Sequence, residues 1–141
     1  MLPFLYERRI IMAASILYAA NTVPQDVAIG GLINLGTPVR RYGKNITMSG
    51  GNIQTSGAGY YNGDVRLDFV GAAGTTIFTV MENGMPIPGA KIAITTAAAT
   101  AYNATIPFVT RNKCCLDGTI SVEVTGAAIT DATVAVVIEK L

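Results

Sequence analysis

An all-β fold, a sandwich or barrel of antiparallel strands, follows from three features of this chain. Apolar and polar residues alternate over several short runs, as on a strand with one buried and one wet face. Turn residues rich in glycine and asparagine separate those runs at short, regular intervals. No segment joins a helix cap to apolar positions spaced three and four apart over several turns. The 141 residues suit one compact domain with a real core.

Taken in order, residues 1–20 read as an N-terminal arm or a first strand, ending in SILYAA at 15–20. Residues 21–141 form the main domain, and nothing marks a second one. GLINL at 31–35 and NIQT at 52–55 are short strand candidates. In YNGDVRLDF, 61–69, Tyr61, Gly63, Val65, Leu67 and Phe69 share one face, and Asn62, Asp64, Arg66 and Asp68 share the other. TTIFTVME at 75–82 meets MPIPG through Asn83-Gly84, the preferred pair for a two-residue hairpin because both positions need positive φ. Pro86 and Pro88 cannot donate to a ladder, so their strand is an edge or a departure from the sheet. KIAITT (91–96) and TIPFVTR (105–111) follow. In TISVEVT, 119–125, Ile120, Val122 and Val124 point inward and Ser121 and Glu123 outward. TVAVVIEKL ends the chain with Val134, Val136 and Ile138 on one face.

Charged residues are only 13 % and apolar ones 50 %, with mean hydropathy +0.43. An ordinary soluble domain carries about 25 % charged residues. The apolar excess is spread along the whole chain, which points to surface hidden by self-association. Its longest apolar stretch, IIMAASILYAA at 10–20, is shorter than the ~20 residues of a bilayer span. Behind Arg8 and Arg9 it has the look of a secretory signal, but a strand or docking arm is the preferred reading. Met12 opens a second alternative, in which residues 1–11 are an upstream extension. The net charge of +1 implies no strong pull on nucleic acid or acidic membranes. Cys114 and Cys115 are adjacent, a poor geometry for a mutual disulfide. Without histidine they fall short of a zinc site and read as small buried filler.

The chain has no histidine, which removes the commonest general base and metal ligand. Asp64 and Asp68 share a strand face, but ~13 Å of strand rise separates them. An inverting glycosidase pair needs roughly 6.5–9.5 Å. The glycine clusters sit between strands, not ahead of a helix that would hold a phosphate. The expectation is a protein that is not an enzyme and carries no cofactor or metal. Two features invite a binding role. VRRYGKN, 39–45, gathers Arg40, Arg41 and Lys44, either as a solvated loop or as a dock for an acidic protein surface. The arm with Arg8 and Arg9 is either a first strand or an anchor along a neighbour's sheet edge.

From MAASILYAANT through INLGTPVRRYGKN, TVMENGMPIPGA and IPFVTRNKCC to AVVIEKL, residues 12–141 resemble a recurring type of phage virion protein. GYYNGDVRLDF followed by ENGMPIPGA is similar to the tumour-necrosis-factor-like jelly roll, also the fold of complement-type collagen heads and bacterial spore-surface fibres. The resemblance implies two antiparallel sheets, a tight homotrimer, and Tyr60 or Tyr61 near its threefold axis. It further implies a capsid decoration or head-fibre protein on the virion exterior. The partner would be the major capsid protein, docked through Arg8, Arg9, Arg40, Arg41 and Lys44. The collagen-like or coiled stalk usual for such heads is missing here, which favours a compact cap. The alternative is a trimeric head that binds a host-surface glycan through Tyr102-Asn103 or Tyr42-Gly43.

Overall fold

The computed structural model describes residues 15–113 and 116–141. The arm bearing Arg8 and Arg9, and the Cys114-Cys115 pair, lie outside the described residues. Ten strands follow one another: β1 (Ser15–Val27), β2 (Thr37–Tyr42), β3 (Ile46–Ser49), β4 (Asn52–Thr55), β5 (Gly59–Gly71), β6 (Gly74–Glu82), β7 (Met85–Thr96), β8 (Ala101–Asn112), β9 (Gly118–Thr125) and β10 (Ile129–Lys140). They form two five-stranded antiparallel sheets, ordered β2-β1-β10-β5-β8 and β3-β4-β9-β6-β7. The chain crosses between sheets repeatedly, so one sheet is completed only by β9 and the other only by β10. No helix occurs among the described residues, hence none long and apolar enough to cross a membrane.

The period-two patterns seat the core between the sheets. On β5 the side chains of Tyr61, Val65, Leu67 and Phe69 are buried, while Asp64, Arg66 and Asp68 are exposed. Gly63 belongs to the inward row and has no room for a methyl group. A Cβ there would lie 2.4 Å from the Val137 carbonyl oxygen and 2.9 Å from the Phe108 ring. Phe69 meets Phe78 of β6 edge to face, with ring centroids 5.0 Å apart at 71°. Tyr102 of β8 stacks on the same Phe69 at 5.8 Å.

Asn83 and Gly84 adopt φ values of 52° and 79°, and Glu82 pairs directly with Met85. This is the two-residue hairpin that the sequence predicts. Pro86 and Pro88 lie on β7, which is an edge strand. A Cβ on Gly84 would meet nothing within 4 Å, so only backbone strain opposes a larger residue. Gly84→Ala should therefore cost about 1–2 kcal/mol in chemical denaturation and leave the fold unchanged.

Several expectations are corrected. Residues 15–20 are the first part of β1, which sits between β2 and β10. A boundary at residue 20 thus falls inside a strand. GLINL forms only one bridge, Leu32 to Glu123, although Ile33 and Leu35 are buried. The Gln25 side-chain amide takes the place of a strand neighbour here, with Nε2 donating to the Asn34 carbonyl and Oε1 accepting from the Asn34 N–H, both at 2.9 Å. The segment then pairs with β9 beyond the reach of β4: the Ile33 N–H donates to the Val122 carbonyl at 2.9 Å. Ser121, expected outside, is only 6 % exposed. It is a small side chain on a central strand, overshadowed by its cross-strand partner Met81. VRRYGKN is no loop throughout: Val39 to Tyr42 belong to β2.

Candidate assembly surface

The two sheets present different outer faces. The β3-β4-β9-β6-β7 sheet shows water Thr47, Gln54, Thr119, Glu123 and Lys91, with Thr119 Oγ1 donating to Gln54 Oε1 at 3.0 Å. The other sheet shows water an apolar stripe. Tyr18 (41 % exposed) lies beside Val137 (37 %) across the β1–β10 ladder. Ile16 is next along β1, and Tyr60 and Val109 flank the stripe on β5 and β8. These residues alternate with buried Leu17, Ala19, Val136 and Ile138, so their exposure follows from strand geometry. Exposed apolar side chains gathered on one face of a charge-poor chain, with Asp64, Arg40 and Glu139 between them, make that face the candidate contact surface.

The stripe also holds charge. Asp64, Arg66 and Asp68 stand at alternate positions of β5, all exposed. Arg66 is flanked by Ala135 of β10 and Thr105 of β8, and Asp64 by Val137 and Pro107. Together with Tyr18, several of these line a shallow hollow of about 350 Å³. Among the described residues, no ion pair within 4.0 Å engages any of the three.

The tyrosine pair expected at a threefold axis separates into two roles. Tyr61 is 0 % exposed within the single chain, so its side chain is not available to a neighbouring copy. Strand alternation turns it into its own core, where its single O–H is shared between the Ser56 and Gly57 carbonyls, both at 2.9 Å. Tyr60, one position along, faces outward at 52 % exposed, with the Arg111 guanidinium 5.4 Å from its ring centre. Burial, and then the charge of Asp117, hold the Tyr61 phenol above its ordinary value of 10.0. The folded chain therefore keeps this proton more tightly than the unfolded chain. Stability from this group is complete below pH 10.0 and falls as pH rises toward the folded value. Tyr61→Phe should cost about 1 kcal/mol at neutral pH and flatten that alkaline decline, as read from denaturant midpoints on either side of pH 10.

Arg40 and Arg41 lie on β2 and Lys44 in the turn after it, all three exposed. Of the residues suggested for glycan contact, Tyr102 is engaged internally. Its hydroxyl accepts the Ala97 N–H at 2.7 Å while its ring packs on Phe69. Tyr42 stays open at 66 % exposed. Among the described residues, no group of three acidic or cysteine side chains is placed to hold a metal ion.

No protein-family model matches the sequence, and no curated protein matches it. The solved structures do. The Eiger tumour necrosis factor of S. frugiperda matches with a TM-score of 0.69 over 92 % of both chains at 11 % identity. The globular domain of zebrafish complement 1qA protein matches with 0.66 over 92 % of this chain and 98 % of that one at 6 % identity. The PRD1 vertex protein P5 matches with 0.61 over 92 % and 99 % at 16 % identity.

The fold is a tumour-necrosis-factor-like jelly roll. Its four sheet edges are all blunted against pairing. β2 carries Pro38, Arg40 and Arg41 and a register irregularity opposite Tyr18 and Ala19. β8 carries Pro107, and β7 carries Pro86 and Pro88. β3 has only four residues. Among the described residues, no edge of the jelly roll offers a long flat ladder to an incoming strand, whereas one of its faces exposes Tyr18, Val137 and Tyr60.

Proposed function

We propose that this jelly roll is a structural virion protein, a homotrimer that decorates the outside of a phage capsid by docking on the major capsid protein. The observation that carries the reading is the apolar outer face of the β2-β1-β10-β5-β8 sheet, on a chain with too few charges to coat a lone subunit. In the trimer that face turns toward the threefold axis and hides Tyr18, Val137 and Tyr60. The polar sheet faces water. An interface on the order of 2,000 Å² or more makes such an assembly obligate. The fold shared with the PRD1 vertex protein supports the virion setting. The role is structural, not catalytic. Arg40, Arg41 and Lys44 sit at the rim of the buried sheet, where guanidinium forks suit acidic groups on the shell. Arg8 and Arg9 are assigned to the same contact.

Light scattering on the purified chain should give three times the chain mass; a single-chain mass at micromolar concentration would end the proposal. Binding to capsids should weaken with salt and in an Arg40→Ala, Arg41→Ala variant. Particles assembled without the protein should form but lose resistance to heat or osmotic shock. Unchanged particle stability would count against decoration as reinforcement.

A second reading, recognition of a host-surface glycan, rests on the open ring of Tyr42. It predicts a glycan-array signal from the assembled protein that Tyr42→Ala abolishes.

A further inference from the structure

We infer that Glu82, Thr55, Asn112 and the backbone of Gly118 form a binding site for a hard metal cation of the calcium class. The site lies apart from the proposed assembly surface and does not depend on it. Four strand ends meet there: Glu82 closes β6, Thr55 closes β4, Asn112 closes β8 and Gly118 opens β9. Thr55 is 1 % exposed and Asn112 4 %. Gly118 is buried as well, and its missing side chain leaves space among them. A Cβ at that position would lie 2.7 Å from Thr55 Oγ1, 2.9 Å from Asn112 Oδ1 and 3.3 Å from Glu82 Oε2.

Asn112 Nδ2 donates to Thr55 Oγ1 at 2.9 Å, and Thr55 Oγ1 donates to the Gly118 carbonyl at 3.4 Å. The first bond turns Asn112 Oδ1 toward the space, and the second takes the hydroxyl proton elsewhere. Glu82 Oε2 is buried and has no hydrogen-bond partner among the described residues. Three acceptor oxygens therefore converge with no hydrogen of their own between them. Arg111 lines the same hollow as Glu82, but its guanidinium lies over the Tyr60 ring. Among the described residues, no ion pair within 4.0 Å engages Glu82. A carboxylate oxygen held out of water without a counter-charge is unfavourable. A water molecule would serve two of the acceptors and leave the charge standing, whereas a cation serves all three and neutralises it. Calcium accepts oxygen ligands in loose geometry and completes its shell with carbonyls and water, while magnesium demands a near-ideal octahedron. One carboxylate among neutral oxygens makes a weak site, with a dissociation constant of about 10⁻⁴–10⁻³ M. Such a site contains no cluster of acids, so no motif in the sequence announces it.

Calorimetric titration of the full chain with calcium chloride should show one site per chain, and magnesium chloride should bind about tenfold more weakly or not at all. At about ten times its dissociation constant, calcium should raise the folding equilibrium constant about tenfold. Urea titrations at one fixed protein concentration, in calcium and in EDTA, read that change. Asn112→Asp places a second carboxylate oxygen in the site and should tighten calcium about tenfold. A packing role for Asn112 predicts lost stability and no tightening. Glu82→Gln should keep the fold and lose the calcium response. Should Glu82→Gln fail to fold, Thr55→Val replaces it, and calcium binding about tenfold weaker is expected. A parent chain that binds no calcium at about 10 mM, well above the expected range, overturns the cation and leaves these oxygens to water. A Glu82→Gln chain that binds calcium as the parent does moves the ion elsewhere and overturns the site.

Discussion

Val137→Glu should convert the assembled protein into single folded chains. Val137 lies between Tyr18 of β1 and Asp64 of β5, facing out of the sheet. In one isolated chain the new carboxylate remains in water, and surface changes of this kind stay within about 0.5 kcal/mol. In the assembly the same group enters an apolar contact next to Asp64, which already carries like charge. Burying an unpaired carboxylate costs several kcal/mol, roughly, for each copy, and every copy contributes one. Light scattering should fall to the mass of one chain while circular dichroism is unchanged. Binding to capsids, if it depends on the trimer, should fall with it. An unaltered mass would show that copies meet elsewhere.

Phe78→Ala is expected to be the most destabilising core change. Phe78 is fully buried on β6 and is the contact through which the second sheet joins the ring series Phe78, Phe69, Tyr102. Truncating a buried phenylalanine costs about 3–5 kcal/mol, against a total of roughly 5–15 kcal/mol for a domain. Aromatic pairs add about 0.5–1.5 kcal/mol beyond their buried area. Phe78→Leu should therefore recover much, but not all, of the loss. Urea titrations at one fixed protein concentration check this, since unfolding of an oligomer shifts with concentration. A loss below about 1 kcal/mol for Phe78→Ala would mean that the inter-sheet core closes over the gap.

The strands with a buried and an open face were legible residue by residue. Tyr61 to Phe69 alternate in the sequence as they do in burial, whereas Val134 to Ile138 are all apolar and alternate in burial alone. The Asn83-Gly84 reversal was equally plain, because its residues are the ones that tolerate its φ values. β2 was not legible. It pairs on one side only and all six of its residues are exposed, so no face was buried to leave an alternating signal. GLINL misled for the opposite reason. Its apolar residues are buried, but its neighbour in part is the side chain of Gln25.

The assembly surface divides in the same way. The scarcity of charge raised the expectation of covered apolar area, without indicating where. Strand alternation in the sequence already set Tyr61 on the row of Val65, Leu67 and Phe69 and Tyr60 on the opposite one; the burial of that row against the second sheet is what withdraws Tyr61 from any neighbouring copy. Alternation is local, a property of successive residues on one strand, and so the chain announces its class and its inward residues directly. Strand neighbours are chosen by contacts between residues far apart, as where Ser15 pairs with Lys140. Only after those distant partners meet do Tyr18, Val137 and Arg66 come to lie on one face.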